Sequence, residues 1–417
     1  MWAEETQWGF LALCGEFGCL IRAGIWHRLP PIRNRNITYD NDSEREMPAK
    51  RASKPIGLAI VGAGRIGLIR AEIAAKHPNV GWIGLAEIRA DLGNEVAERV
   101  RADFWTTDYR ELLARPKVTA AVIATDEHLH VGPILAAVER GLSLMIEKPL
   151  AINLRESARV LQAIQQSGVD AVVGYTQRFR RRFLVAKEKI RTGQLGDVTL
   201  VTSRAFMNRL VALDNYRRTD RPETISPMVI SGTHALDLVM WLLEGKKPVE
   251  AYARSIDKVL GPKYLGIDAT AGVITMSDGT IYDLNISWAL PIMWPGSVYS
   301  LEIGIVGTEG VLTIDDTHRD VVLATSIAQP ASYTPETTRH VDFLTSYPPG
   351  DVALGELWGP MREETNSWLA RLALGHATPH ATAAEAHNRL MLTKALDLSA
   401  RRKCSISLPI TPEDEER

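Results

Sequence analysis

Six residues, Gly62-Ala63-Gly64-Arg65-Ile66-Gly67, leave few folds open to this chain. They follow an apolar run, 56–61, and open a helical stretch, 66–76. A strand that passes through a glycine turn into a helix is the context in which this spacing binds a dinucleotide. The first glycine allows the tight turn, the second lets the backbone approach a pyrophosphate, and the third lets helix and strand pack closely. Unpaired N–H groups at the helix start then face the phosphates. The plainer alternative is a glycine turn that only packs.

From Pro55 onward apolar strand segments alternate with helical ones. Strands are expected at 56–62, 80–87, 103–105, 118–125, 142–147 and 169–175, and helices at 65–77, 91–101, 108–114, 128–140 and 153–166. Short, continuous, partly β-branched runs suit parallel strands covered on both faces. The alternation predicts a doubly wound α/β sheet with its ligand at the carboxyl ends of the strands. The second strand ends in Glu87. A carboxylate there can accept from the adenosine ribose hydroxyls and repels a 2′-phosphate, which favours NAD over NADP. Arg89 follows closely and could meet such a phosphate instead, so NADP stays open. As a plain strand end, Glu87 would only be solvated.

After Thr176 the pattern changes. A basic stretch, 178–191, reads mostly as a solvated helix face. Longer strands are expected at 198–206, 249–255, 269–276, 280–288, 300–306 and 310–315, with Ser277-Asp278-Gly279 and Thr308-Glu309-Gly310 as hairpin turns. Hairpins imply a largely antiparallel sheet, hence an α+β second domain. Helices on one face only would leave the other exposing valine, isoleucine and tryptophan. Such a patch predicts a homo-oligomer joined sheet to sheet. Residues 316–355, with several prolines, read as a long irregular excursion. Helices resume at 359–374 and 382–401, the latter opening on a Thr382-to-Glu385 capping box.

At 417 residues the chain is too long for one ordinary core. The expected divisions are an N-terminal extension (1–54), a nucleotide domain (55–175) and a substrate and oligomerisation domain (176–417). The C-terminal helices of the last could pack back on the nucleotide domain. Glu16 and Arg22 break the extension too often for a bilayer span, and it lacks the basic start and cleavage site of a signal peptide. It reads as an over-extended gene start or a disordered leader before Met47; the alternative is an arm buried against a neighbouring subunit. A formal charge of −2 gives no reason to expect nucleic acid or an acidic membrane surface as partner. Cys14, Cys19 and Cys404 make neither a disulfide framework nor a metal site, and fit a reducing, cytoplasmic compartment.

Three residues are candidates for chemistry. Lys148, in Glu147-Lys148-Pro149, closes the fifth strand where it meets the expected cleft, and Pro149 biases it toward extended backbone. His234 and Asp237 lie three apart in an apolar helical run and share a side of its first turn. A hydride leaving a carbinol carbon needs a base for the hydroxyl proton and a donor for the developing alkoxide. His234 suits the first role and Lys148 the second. Taken singly, each is more simply a packing histidine or a surface lysine.

In combination these residues resemble the glucose–fructose oxidoreductase/inositol dehydrogenase (Gfo/Idh/MocA) family. The matching pieces are Ile60-Val61-Gly62-Ala63-Gly64-Arg65-Ile66-Gly67, Ile123-Ala124-Thr125 with His130, Glu147-Lys148-Pro149, Gly174-Tyr175 through Arg178-Phe179, the run from Gly232 to Asp237, and Ile305-Val306-Gly307-Thr308-Glu309-Gly310. They are collinear. The resemblance implies a Rossmann dinucleotide-binding domain followed by an α+β domain with an open, mostly antiparallel sheet that builds a homodimer or homotetramer. It implies NAD(P)-dependent oxidation or reduction of a sugar, cyclic polyol or related hydroxy compound. It further implies Gly62, Gly64, Arg65, Ile66, Gly67, Glu87, Thr125, His130, Glu147 and Lys148 at the cofactor, and Lys148, Arg178 and His234 at the substrate, with Asp237 available to orient His234. Many members carry an aspartate four residues before this histidine, where this chain has Ile230, and Asp126 stands where a proline is common.

Substrate cues are open. Arg209, Arg217, Arg218 and Arg221 could bind a carboxylate or phosphate, or form only a basic surface loop. Trp288 and Trp294 could stack on a sugar ring or only pack. Two other functions compete with the dehydrogenase. One is a glycosidase that uses bound NAD for transient oxidation. The other is a non-catalytic nucleotide-sensing protein, which Ile230 encourages and the presence of both Lys148 and His234 opposes.

Overall fold

The computed structural model describes residues 55–219, 225–264, 266–316, 321–331 and 334–416, and Ser53–Arg417 form one compact unit. The expectations for the N-terminal extension, and for the Arg218 and Arg221 side chains, lie outside the described residues. The first half runs β1 (Ile56–Val61), α1 (Arg65–Ala75), β2 (Val80–Ala86), α2 (Ala90–Val100), β3 (Phe104–Thr106), α3 (Tyr109–Leu113), β4 (Ala120–Ile123), α4 (Val131–Glu139), β5 (Ser143–Ile146), α5 (Leu154–Ser167) and β6 (Ala171–Val173). These strands stand in the order β6-β5-β4-β1-β2-β3 and pair in parallel. β1 and β4 are buried along their whole length, because helices cover both faces of the sheet. Local chemistry sets the helix ends. The Asn153 side chain accepts from Glu156 N at the start of α5, and Gly168 ends it at φ 68°.

The second half opens with α6 (Arg181–Arg191), β7 (Val198–Asn208), α7 (Arg209–Arg218), a π-helical turn (Met228–Gly232) and α8 (Thr233–Leu242). There follow β8 (Pro248–Ile256), α9 (Gly261–Tyr264), β9 (Ala269–Met276), β10 (Ile281–Leu290), β11 (Val298–Gly307) and β12 (Val311–Asp316). The sheet order is β12-β11-β7-β10-β9-β8, antiparallel except where β7 meets β10. Its strands alternate in burial, as one covered face requires. Ala253, Ile274, Leu284 and Ile303 point into a core shared with α8. On the other face Val311, Val306, Leu200 and Ile281 stand opposite one another across four strands, and all four are exposed.

The excursion read as irregular holds two hairpins, β13 (Val322–Pro330) with β14 (Thr338–Phe343) and β15 (Asp351–Ala353) with β16 (Glu356–Trp358). The chain then forms α10 (Pro360–Leu374), β17 (Ala381–Thr382), α11 (Ala383–Arg402), β18 (Ile406–Ser407) and α12 (Pro412–Glu416). This last stretch touches both halves. Trp368 and Leu369 of α10 enter the core of the first sheet, and β17 pairs antiparallel with β6 at its edge. α11 starts with the expected capping box and supplies Leu392 and Leu396 to the second core, and β18 pairs with β8. No helix of the described residues is long and apolar enough to cross a membrane.

Candidate active site

The carboxyl ends of β1, β2, β4 and β5 deliver their loops to one cavity of about 1100 Å³. Its other wall comes from β7, β11, α7, the π-turn and the start of α8.

At the β1 end the glycine turn is fixed by sterics. Gly62 has φ +90°, and a Cβ there would lie 2.5 Å from the Ala124 carbonyl oxygen; one on Gly67 would lie 1.9 Å from that of Gly62. Gly64 differs. A Cβ on it would meet only the Arg89 guanidinium, at 3.9 Å, so its lack of a side chain keeps space open rather than relieving a clash. No side chain caps α1 at this point, which leaves its first N–H groups facing the cavity. An open cradle before an uncapped helix N-terminus fits a pyrophosphate. Next to it, Glu87 is buried and accepts from Ala63 N at 2.9 Å and from Arg89 Nε at 2.9 Å. Burial works against its ionisation, but the hydrogen bonds from Arg89 and Ala63 outweigh that and hold the carboxyl below its usual range. Glu87 therefore faces the cavity as an anion. The Thr125 hydroxyl oxygen, at the end of β4, is buried without a partner.

Two cofactor candidates are engaged with the protein itself. The His130 ring nitrogens lie 2.9 Å from the Pro149 carbonyl and 3.1 Å from that of Thr125, so the ring ties together the ends of β4 and β5. Glu147 lines the cavity, yet its Oε1 accepts from Arg70 Nε at 2.6 Å. Arg70 is wholly buried, and its other nitrogens donate to Glu364 and Thr365 of α10 at 2.7 and 2.8 Å. These two residues brace the strand end that carries Lys148.

Lys148 projects across the cavity and donates from Nζ to the Ile230 carbonyl at 3.3 Å. The π-turn shapes this contact, since Ile230 lies in its middle. His234 follows in the first turn of α8 and also lines the cavity. Its Nδ1 is buried without a partner, and Tyr175 meets the ring edge-on at 6.3 Å. Burial, and then the Lys148 ammonium, push the imidazole down to about 3, so it is neutral at physiological pH.

Asp237 and Arg178 are corrected. Asp237 does not orient His234 and lines no part of this cavity; its carboxylate accepts from Arg178 Nε at 2.7 Å and Nη2 at 2.6 Å, with Arg389 at 3.4 Å. Arg178 is 1 % exposed and further paired with Glu385 at 3.0 Å, so it is not presented to a substrate. Helical spacing placed His234 and Asp237 on one side, but two arginines brought by tertiary packing take the carboxylate.

The loop expected at 208–227 contains α7, whose Asn208 cap accepts from Leu210 N. Its described arginines do not line the cavity: Arg209 donates to the Leu290 and Ala289 carbonyls, and Arg217 pairs with Glu336. Trp288 is buried and donates to Ser231 Oγ at 2.8 Å; Trp294 packs against Tyr299 and Phe343. The sequence reading did not single out Gln177, Asp214 or the apolar wall described below. The Asn208 cap before Leu210-Val211-Ala212 was the available signal for α7. Asp214 lies 3.5 Å from Arg65 and so links the second half to the glycine turn.

Fold and cavity together define a two-domain oxidoreductase that works on a dinucleotide. Comparison with known proteins agrees: a model described as an oxidoreductase family with an NAD-binding Rossmann fold matches residues 56–175, and the GFO/IDH/MocA C-terminal domain matches 183–313. The chain belongs to the GFO/IDH/MocA family and binds NAD. It is 24 % identical over 307 residues to the oxidoreductase YrbE of Bacillus subtilis, covering 71 % of this chain and 83 % of that protein. It is 23 % identical to the scyllo-inositol 2-dehydrogenase (NAD(+)) of the same organism, covering 61 % and 72 %. The solved scyllo-inositol dehydrogenase from Lactobacillus casei, with bound NAD(H) and scyllo-inositol, superposes with a TM-score of 0.68 over 85 % of this chain and 99 % of that one, at 18 % identity.

Proposed function

We propose that this enzyme exchanges a hydride between NAD and a hydroxy or oxo carbon of a sugar, a cyclic polyol or a related compound. One observation carries the reading: Lys148 from the first half and His234 from the second meet in the cavity that also holds Gly64 and Glu87. Gly62, Gly64 and Gly67 would hold the pyrophosphate, Glu87 the adenosine ribose, and the Thr125 hydroxyl has a buried bond left to make. Bound NAD supplies the hydride acceptor. As the carbinol C–H bond breaks, the neutral His234 imidazole takes the hydroxyl proton and the Lys148 ammonium steadies the oxygen. Reduction runs the same steps in reverse. On the second-half wall the described carboxylate is Asp214, already facing Arg65, which weighs against the glycosidase alternative.

The exposed row of Val311, Val306, Leu200 and Ile281 supports a second copy of this chain as the cover of the open sheet face. The exposed free thiol of Cys404 suits a reducing, cytoplasmic compartment. The test is mass spectrometry of nucleotide released from purified protein, with a screen of polyols and sugars followed by reduced-nicotinamide absorbance. The reading fails if the protein holds no pyridine nucleotide and no alcohol in the screen reduces NAD.

A further inference from the structure

The second-half wall of the active-site cavity is unlike a surface built for a fully hydroxylated ring. Ala205 and Met207 of β7 stand in register with Leu301 and Val298 of β11, and the four form an apolar tile. Val211 of α7 and the Ile230 side chain extend it. The backbone groups behind the tile are paired within the sheet. Polar side chains on this wall are turned to other duties. Ser231 Oγ accepts from Trp288, Asn215 Nδ2 donates to the Val211 carbonyl, and the Thr176 hydroxyl donates to Glu364. On this wall, as distinct from the strand end that holds Thr125, two described side chains have a buried polar atom left without a partner. His234 Nδ1 and Gln177 Oε1 are buried without partners, and Lys148 stands with them in the cavity. Gln177 is held by its Nε2, which donates to the Pro348 carbonyl at 3.2 Å.

A substrate hydroxyl pressed against the tile loses its water and gains no partner, at a cost of about ten-fold in affinity per hydroxyl. A ring CH₂ or methyl group in the same place gains by burial. Resting on the proposed hydride transfer at Lys148 and His234, we infer that the substrate is a sparsely hydroxylated member of its class. Its reacting carbon and oxygen meet Lys148 and His234, and the rest of its ring is deoxygenated or O-alkylated and lies on the tile. Oxidation converts the carbinol to a ketone, with the hydride passing to NAD and the proton to His234.

Matched cyclic alcohols test this with the full chain and NAD. trans-Cyclohexane-1,2-diol and a tetra-O-methylated inositol that keeps two adjacent hydroxyls are compared with scyllo- and myo-inositol, by kcat/KM and by calorimetric binding to the NAD-loaded protein. The expected result is at least a ten-fold preference for the sparse set in both measures. Val211→Thr and Val298→Thr, which keep side-chain volume, should each move the ratio toward the inositols by about five-fold, the worth of one hydrogen bond. Equal or better use of the inositols overturns the inference. If neither set turns over, the hydride-transfer reading is what has failed; calorimetry then decides this inference alone, and equal binding, or binding of neither set, overturns it.

Discussion

Lys148 and His234 are coupled by charge as well as by position, and that coupling can be measured without a substrate. Removing the ammonium in Lys148→Met takes away one of the two causes that push His234 down to about 3. The imidazole should then titrate higher by NMR, while burial still holds it below the usual histidine value. Turnover should fall about 100- to 1,000-fold with nucleotide binding retained, as for loss of one oxyanion donor. His234→Ala should cost about 100- to 10,000-fold in kcat. Glu87→Ala is expected to weaken NAD binding and relax discrimination against NADP in calorimetry, because it removes the anion beside the turn and releases Arg89. Lys148, His234 and Glu87 were legible in the sequence because strand ends and helix starts fix where such residues point. Arg178 and Asp237 were not, since Glu385 and Arg389, which complete their ion cluster, come from α11 far along the chain.

At the scale of elements, the glycine turn separates two jobs that a bare motif merges. Gly67→Ala puts a methyl group into the Gly62 carbonyl and should destabilise the protein by about 1–3 kcal/mol, read as a lowered midpoint in urea. Gly64→Val places its side chain in open space, so the fold should lose no more than about 1 kcal/mol, through a poorer helix cap. NAD affinity should nevertheless drop at least ten-fold, because the cradle is filled. A variant that keeps both stability and NAD affinity would put the pyrophosphate elsewhere. The parallel strands were readable because continuous apolar runs leave little choice of structure. α7 and the hairpins of residues 322–358 were not. Arginines dominated the first, and β13 is largely exposed, so it lacks the apolar alternation that marks a half-buried strand.

For the whole molecule, acid should be damaging before any carboxylate need be invoked. Burial pushes both His234 and His380 from 6.5 to about 3. As pH falls below 6.5 the unfolded chain takes up these protons first, so the stability present above that pH is lost progressively toward pH 3. At pH 5 each histidine costs roughly 2 kcal/mol. Melting temperature should therefore drop between pH 7.5 and 5, and His380→Gln should flatten the fall. Assembly is a second property at this scale: Ile281→Lys should yield monomers in light scattering if the open sheet face binds its copy. The path of α10, β17 and α11 has a consequence for synthesis. The glycine turn leaves the ribosome early, yet Trp368 and Leu369 that fill its core, Glu364 that answers Arg70, and the edge strand β17 are made hundreds of residues later. A nascent chain stopped at residue 359 should not retain NAD, so the cofactor is captured only after α10 and β17 have been made.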